Sequence, residues 1–326
     1  MRALLLQLEK PIRDAWLKAI AEARSFANIK ALMSAIVSGD ENAILRAAGI
    51  REGMYSSFTE SLRSAYLTGG ADVIASELPK AIAMSFDITN PRAESWLRNY
   101  SSQRIREMNA ETRGAVRKYL ERGMRLGDNP RSVALDIVGR IGETGRRTGG
   151  AIELTEYQAG IVNNLRDDLD NLDLERYKKR KLRDRRFDKL VERHAESGKP
   201  IPKAKKQQIV NRYEDRFLKH RGDTIGRTEA IRASSEASEE AMRQVVDEGY
   251  APRDSITRIW QHSFSINERE GHKMMHGQKR GMDETFLNPV TQRSLKYPGD
   301  GPASEAINCR CWLKHRIDFV KVEQAA

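Results

Sequence analysis

The chain has 326 residues and a net charge of +11, with 39% hydrophobic, 6% aromatic and 32% charged residues. That length allows two or three domains, but the scarcity of core-forming side chains argues against a compact α/β enzyme and fits extended helical layers with wide solvated faces. Two cysteines cannot build a disulfide framework, so the chain reads as one from a reducing, cytosolic setting, and no stretch approaches the roughly 18 apolar residues of a membrane span.

The first residues, MRALLLQLEKPIRDAW, contain an apolar run like that of a signal peptide. Glu9, Lys10 and Pro11 follow at once, and the segment is expected to open an amphipathic helix instead. Further on, the pairs Gly69-Gly70 and Gly149-Gly150 are expected to interrupt helices as turns. Three helix starts carry a mechanism. Asn90 before Pro91, and Asn129 before Pro130, place a capping side chain ahead of a proline whose missing N–H costs nothing at the first helical position. Thr155 and Gln158 have capping-box spacing before an apolar face of Ile161, Leu165 and Leu169. Between the first two starts, residues 95–122 set Ile105, Met108, Val116 and Leu120 at helical spacing, with an end expected at Gly123 or Gly127.

Positive charge then concentrates in ERYKKRKLRDRRFDKLVERH (175–194), KPIPKAKKQQ (199–208) and FLKHRG (217–222). Lys178, Lys179, Arg180, Lys181, Arg183, Arg185, Arg186, Lys203, Lys205 and Lys206 are the candidates for contact with a polyanion, DNA first of all. Asp184, Asp188 and Glu192 would partly neutralise the same stretch if it were only a solvated helix face. Neither an aromatic ladder nor a zinc-finger pattern accompanies the charges, so contact is expected with phosphates and not with bases. The prolines of SGKPIPKAKK (197–206) make it the best linker candidate, an elbow inside the basic region. Residues 223–249 are expected as a helix ended by Gly249. Its small residues Ala233, Ser234, Ser235, Ala237, Ser238 and Ala241 suit close packing, and its serines have no base at a sensible position.

After Gly249 the pattern changes to strands at 255–263 and within INCRCWLKHRIDFV, separated by a loop rich in Pro, Gly and Asn. Four of the six histidines, His262, His272, His276 and His315, lie here with both cysteines. On a strand, Cys309 and Cys311 face one side while Arg310 faces away, which supplies half of a tetrahedral zinc site. His262 and His272 are the expected remaining ligands. His276 ranks below them because a helix ends at Gly277. The competing reading makes the cysteines small buried hydrophobes and the histidines satisfied polar groups. His272-Lys-Met-Met-His276 fails as a zinc-hydrolase helix, since Lys273 stands where a catalytic carboxylate is needed. Asp283, Glu284, Asp300 and Glu305 are acidic but scattered along loops, so no catalytic residue is expected.

The expected fold is a mainly α N-terminal region followed by a small α+β C-terminal domain. Its expected divisions are an N-terminal helical region (1–90), a helical body (91–196), a basic linker (197–222), the α+β domain (223–320) and a tail (321–326).

The succession GRTEAIRASSEA, a Trp-containing strand, NEREGHKMMHGQ, F-x-N-P and LKYPGDGPASEAINCRC resembles the Mu F-like family of phage head morphogenesis proteins, the minor head proteins of tailed phages. The matching positions include Arg227, Thr228, Glu229, Trp260, Arg269, His272, Met275, Gly277, Gln278, Phe286, Asp300, Glu305 and Asn308 to Cys311. Members often carry an Asp and an extra Arg just ahead of Arg-x-x-His, where this chain has Ser265 and Asn267. The resemblance implies a non-enzymatic part in head morphogenesis, inside the virion near the portal, with assembly in the host cytoplasm. The implied partners are portal protein, major capsid or scaffolding protein and packaged double-stranded DNA, with several copies per particle and no membrane. Some relatives carry a toxin domain after this module; with about fifteen residues left after Cys311, none is expected here. The alternatives are a metal-dependent nuclease and a plain sequence-independent DNA-binding protein.

Overall fold

A computed structural model describes residues 2–51, 53–142, 144–264 and 268–325; Ser265 and Asn267 lie outside them. The chain opens with α1 (Arg2–Ser25), α2 (Ile29–Ser38), α3 (Glu41–Ala47) and α4 (Ser56–Glu77). The long helix α5 (Pro91–Leu126) precedes α6 (Pro130–Val138), and a minimal hairpin of β1 (Arg140–Ile141) and β2 (Arg147–Thr148). Helices α7 (Glu156–Asp170), α8 (Leu174–Lys179), α9 (Asp188–Ser197) and the 45-residue α10 (Lys203–Asp247) complete the helical part. The remainder contains β3 (Ile256–Gln261), α11 (Glu270–Met274), β4 (Lys279–Arg280), β5 (Phe286–Leu287), β6 (Ser294–Leu295), α12 (Ala303–Ala306), β7 (Trp312–Ile317) and α13 (Phe319–Ala325). The protein is therefore mainly helical, with a small α+β region at its C-terminal end.

The three expected helix starts form as anticipated. Asn90 Oδ1 accepts from the Arg92 amide at 3.0 Å, and Asn129 Oδ1 from the Ser132 amide at 2.9 Å. Thr155 and Gln158 form the reciprocal capping box. Helix α5 ends at the later of its two candidate glycines: Gly127 (φ 66°) donates to the Met124 carbonyl while Asp128 reaches back to Gly123, a Schellman closure.

Two expectations are corrected. Gly69 and Gly70 lie inside α4 instead of ending it. They are needed for close approach: a Cβ on Gly69 would sit 2.7 Å from Ser234 Cα, and one on Gly70 2.4 Å from the Phe86 ring. The basic linker is also shorter than expected. Gly198 (φ 65°) ends α9, Pro202 precedes α10, and residues 203–222 are helix, because nothing after Pro202 breaks the pattern.

The chain forms two compact units that are not consecutive in sequence, unlike the expected linear division. One comprises residues 16–57 and 103–222, the other 1–15, 58–102 and 223–326. The first unit buries Trp16, Ile20, Leu32, Ile44, Met108, Ile137 and Leu165. It also buries a charge network: Glu214 accepts from Arg166 (3.1 Å), Tyr119 (2.6 Å) and the Gly150 amide (2.6 Å). Gly149 and Gly150 have φ of 70° and 102° and lie in irregular chain directly after β2, so they interrupt no helix.

In the second unit, Ala233, Ser234, Ala237, Ser238 and Ala241 are buried as a packing face. Its sheet has the order β4-β3-β7, with β3 antiparallel to β7 from Ile256↔Ile317 to Gln261↔Trp312. β5 and β6 form a separate hairpin at Phe286↔Leu295. Trp260, Phe286, Met275, Leu295 and Leu313 share one apolar cluster with Cys309 and Cys311.

Candidate metal centre

Cys309 and Cys311 precede β7 instead of lying on it, yet they still present both sulfurs to one side. The backbone is set by Asn308, a non-glycine residue at φ 57°. Arg227 donates to Asn308 Oδ1 at 2.6 Å, and the Asn308 amide donates to Thr228 Oγ1 at 3.2 Å. α10 thus fixes the turn from which the two thiols emerge.

The third member is His272, on the short α11. Its Nδ1 lies 3.5 Å from Cys309 Sγ and 3.7 Å from Cys311 Sγ. Its Nε2 faces Glu305 Oε2 at 2.8 Å. Glu305 is itself held: Asn288 Nδ2 donates to Oε2 at 3.1 Å, and Thr291 Oγ1 to Oε1 at 2.7 Å. Asn288 Oδ1 in turn accepts from the Val290 and Thr291 amides. Gly271 makes room for this chain of contacts, because a Cβ there would lie 2.1 Å from Asn288 Oδ1. Trp260 closes the site edge-on against His272, ring centres 5.5 Å apart. Trp260, His272, Glu305 and both cysteines are all buried.

The electrostatics follow from this packing. Cys311 donates to the Cys309 sulfur, and that bond with the His272 contact outweighs burial, holding the Cys309 thiol well below its ordinary value. Donation and burial together push Cys311 up. Burial alone would lower His272, but the Cys309 sulfur and Glu305 prevail and hold the imidazole above its ordinary value. Burial likewise works to raise Glu305, and Thr291, His272 and Asn288 overcome it to hold the carboxyl down.

The donor atoms of His272, Cys309 and Cys311 lie within 4.8 Å of one another and could hold a metal ion. The donor chemistry fits: two thiols and an imidazole are soft-to-borderline ligands. A carboxylate on Nε2–H fixes the tautomer that turns the Nδ1 lone pair toward the sulfurs, a common outer-shell device of metal-bound histidines.

His262 does not join this group. Its Nδ1 accepts from the Phe264 amide at 3.0 Å, which puts the proton of the neutral ring on Nε2. His276 is occupied in the same way by the His262 amide at 3.2 Å. Both rings meet Phe264 edge-on, at 4.9 and 5.0 Å, and burial lowers the His262 pKa. The expected four-ligand set therefore becomes three ligands and a carboxylate. Glu305 appeared in the sequence only as one of several scattered acids, and Asn288 only as the Asn of F-x-N-P. No local spacing could reveal that Glu305 meets His272 and that Asn288 holds Glu305 in place.

Other positions quoted for the resemblance have structural partners. Glu229 accepts from Tyr100, Arg269 donates to the Ile307 carbonyl, and Gln278 Nε2 to the Leu287 carbonyl at 2.9 Å. Gly277 (φ 81°) donates to the Trp260 carbonyl, and Asp300 accepts from the Lys296 amide at 2.9 Å. A second buried group escaped the sequence reading. Arg258 donates to Glu239 (2.8 Å) and to the Gly281 (2.9 Å) and Lys296 (3.1 Å) carbonyls, while His315 Nε2 meets Glu239 at 3.2 Å.

The ten basic candidates divide by environment. Arg180 is paired with the buried Asp168 (2.7 Å) and Arg183 with Asp188 (3.1 Å), and both side chains are largely covered. Lys178 pairs with Glu192 at 2.6 Å, Lys179 with Glu175, Arg186 with Asp184 at 2.6 Å and Lys206 with Asp170. Lys181, Arg185, Lys203 and Lys205 are exposed, as is Arg186 despite its partner.

No known protein family matches the chain. No solved structure matches it either. It is similar to the uncharacterized protein YqbB of Bacillus subtilis (strain 168), 32% identical over 107 residues that cover 31% of this chain and 32% of YqbB. The chain thus spans about a third of the length of the curated relative it matches.

Proposed function

We propose that the protein is a minor head protein of a tailed phage, in which the C-terminal α+β region is a structural module stapled by Zn²⁺ on His272, Cys309 and Cys311. The observation that carries this reading is convergence. Residues quoted for the Mu F-like resemblance from separate stretches (Thr228, Trp260, His272, Glu305, Asn308 and the cysteines) meet around one buried centre. A region this short, with long loops between brief strands, gains from a tie whose binding free energy becomes folding free energy. Burial of the thiols and His272 supports a holding role over a catalytic one, since a substrate needs access to the reacting atoms.

In this reading the protein assembles in the host cytoplasm and resides inside the head near the portal. Its partners are portal protein, major capsid or scaffolding protein and packaged duplex DNA, with several copies per particle. The exposed cations of the helical part contact phosphates without reading sequence.

The test is co-expression with the portal protein and capsid subunits, followed by particle isolation and metal analysis. The expected result is co-purification with portal-containing particles and about one zinc per chain. Recovery only as free protein, with under half an equivalent of zinc, defeats the reading. Nicking of supercoiled plasmid with added Mg²⁺, Mn²⁺ or Zn²⁺ that disappears in His272→Ala establishes the nuclease alternative instead.

A further inference from the structure

The two sulfurs are shielded from solvent in part by the beginning of the chain. Leu5 of α1 is 6% exposed and belongs to the same apolar cluster as Cys309, Cys311, Trp260 and Ile231. One turn later, Glu9 lies between two guanidiniums, Arg227 at 3.7 Å and Arg310 at 3.8 Å. Arg310 is the residue between the two cysteines, and Arg227 is the one that holds Asn308. Arg13 extends the contact along α10 by donating to Asp223 at 3.1 Å. The two helices meet closely at Gly226, where a Cβ would lie 2.5 Å from the Glu9 carbonyl and 3.0 Å from Arg13 Cβ. Between Leu5, Leu6, Ile231, Ser263 and Arg310 only about 10 Å³ of space remains, room for one water at most.

We propose that residues 2–13 of α1 form a detachable cover over the thiol centre, so that access to Cys309 and Cys311 is controlled by whether this helix is docked. The construction suits release. The cover is held by two buried apolar side chains, Leu5 and Ile12, one carboxylate between two arginines and one further ion pair. Partly exposed ion pairs of this kind contribute little individually. Local opening of such an element requires far less free energy than global unfolding. A partner that captured the apolar face of α1 would expose the sulfurs without unfolding the sheet. The inference rests on the placement of the thiols and not on the presence of zinc.

The experiment measures maleimide labelling of Cys309 and Cys311 in the full-length protein, before and after treatment with chelator. Two variants lift α1 by different means. Gly226→Ala improves the helix propensity of α10 while pressing against the backbone of α1, and Leu5→Ala removes the buried apolar side chain nearest the thiols, leaving Ile12 in place. Lys10→Ala, on the exposed side of α1, is the control. In chelator-treated protein the wild type and the control are expected to label slowly, and both lifting variants at least tenfold faster with unchanged circular dichroism. If Leu5→Ala does not fold, Gly226→Ala decides alone. Wild-type labelling rates in a folded Gly226→Ala overturn the cover. So does a chelator-treated wild type that labels as fast as a free thiol, since metal and not the helix would then be the shield. Slow labelling of a wild type that contains no zinc upholds the cover while removing the zinc staple.

Discussion

At the scale of single residues, Glu305 is the side chain whose role is hardest to see in the sequence and easiest to test. It touches neither sulfur, yet it fixes which nitrogen of His272 faces them. Glu305→Gln keeps the shape, but the amide can present either its oxygen or its NH₂ group to His272. Loss of an outer-shell partner of this kind typically weakens metal affinity about 10–100-fold. Competition with a chromophoric chelator measures it, and unchanged affinity removes Glu305 from the centre. Cys309→Ser and Cys311→Ser should each abolish stoichiometric zinc.

The same residues set a pH dependence whose signs can be worked out. His272 is held above its ordinary value of 6.5. Its contribution is complete below that pH and is lost as pH rises through the elevated value. Cys309 is held below its ordinary value of 9.0, so its contribution is complete above that pH and is lost as pH falls through the depressed value. Just above pH 6.5 the two slopes oppose, and the melting temperature of the metal-free protein should vary less with pH than either group alone would make it. The zinc-loaded protein should instead gain stability as pH rises there, because its ligands bind metal on losing protons. Below 4.5, protonation of the depressed Glu305 destabilises both forms. Scanning calorimetry across this range, with and without chelator, decides it; a steep slope in the metal-free protein contradicts the arrangement.

At the scale of elements, the clearest case is Gly69 in α4. Alanine is the better helix former by about 1 kcal/mol, so propensity alone predicts that Gly69→Ala stabilises. The 2.7 Å approach of Ser234 Cα predicts the reverse, because relief requires a backbone shift. Overpacking of this kind costs about 1–3 kcal/mol, and the substitution should lower stability in urea unfolding. Asn129→Ala removes the cap of α6 and should cost about 1 kcal/mol, measured the same way. The basic stretch illustrates the opposite lesson. Its charges were legible one by one, but their pairing was not, since Arg180 finds Asp168 twelve residues earlier and Lys206 finds Asp170 on α7.

At the scale of the whole molecule, the net charge of +11 predicts sequence-independent affinity for DNA with a steep salt dependence. The structure assigns the prediction to particular side chains. Replacing the exposed Lys181, Arg185, Lys203 and Lys205 by Gln should flatten the slope of log affinity against log salt, equally on unrelated duplexes. Replacing Arg180 and Arg183 should chiefly lower stability, because each leaves a partly buried carboxylate without its partner. A loss confined to one duplex sequence would establish base readout and refute the phosphate-only reading.

The sequence by itself determined the fold class, the caps at Asn90, Asn129 and Thr155, the packing face of α10 and the region where the thiols and imidazoles gather. These are local properties: capping needs a side chain two or three residues from its amide, and amphipathic spacing needs only a few turns. Tertiary structure alone decided that His272 and not His262 faces the sulfurs, that Glu305 and Asn288 stand behind it, that Gly69 is helical, and that residues 1–15 share a compact unit with residues 223–326. Each of those depends on side chains brought together across many residues of intervening chain. Whether the acid on α12 meets an imidazole is set by the packing of Trp260, Phe286 and Gly271 around them, and no spacing in the chain encodes that directly.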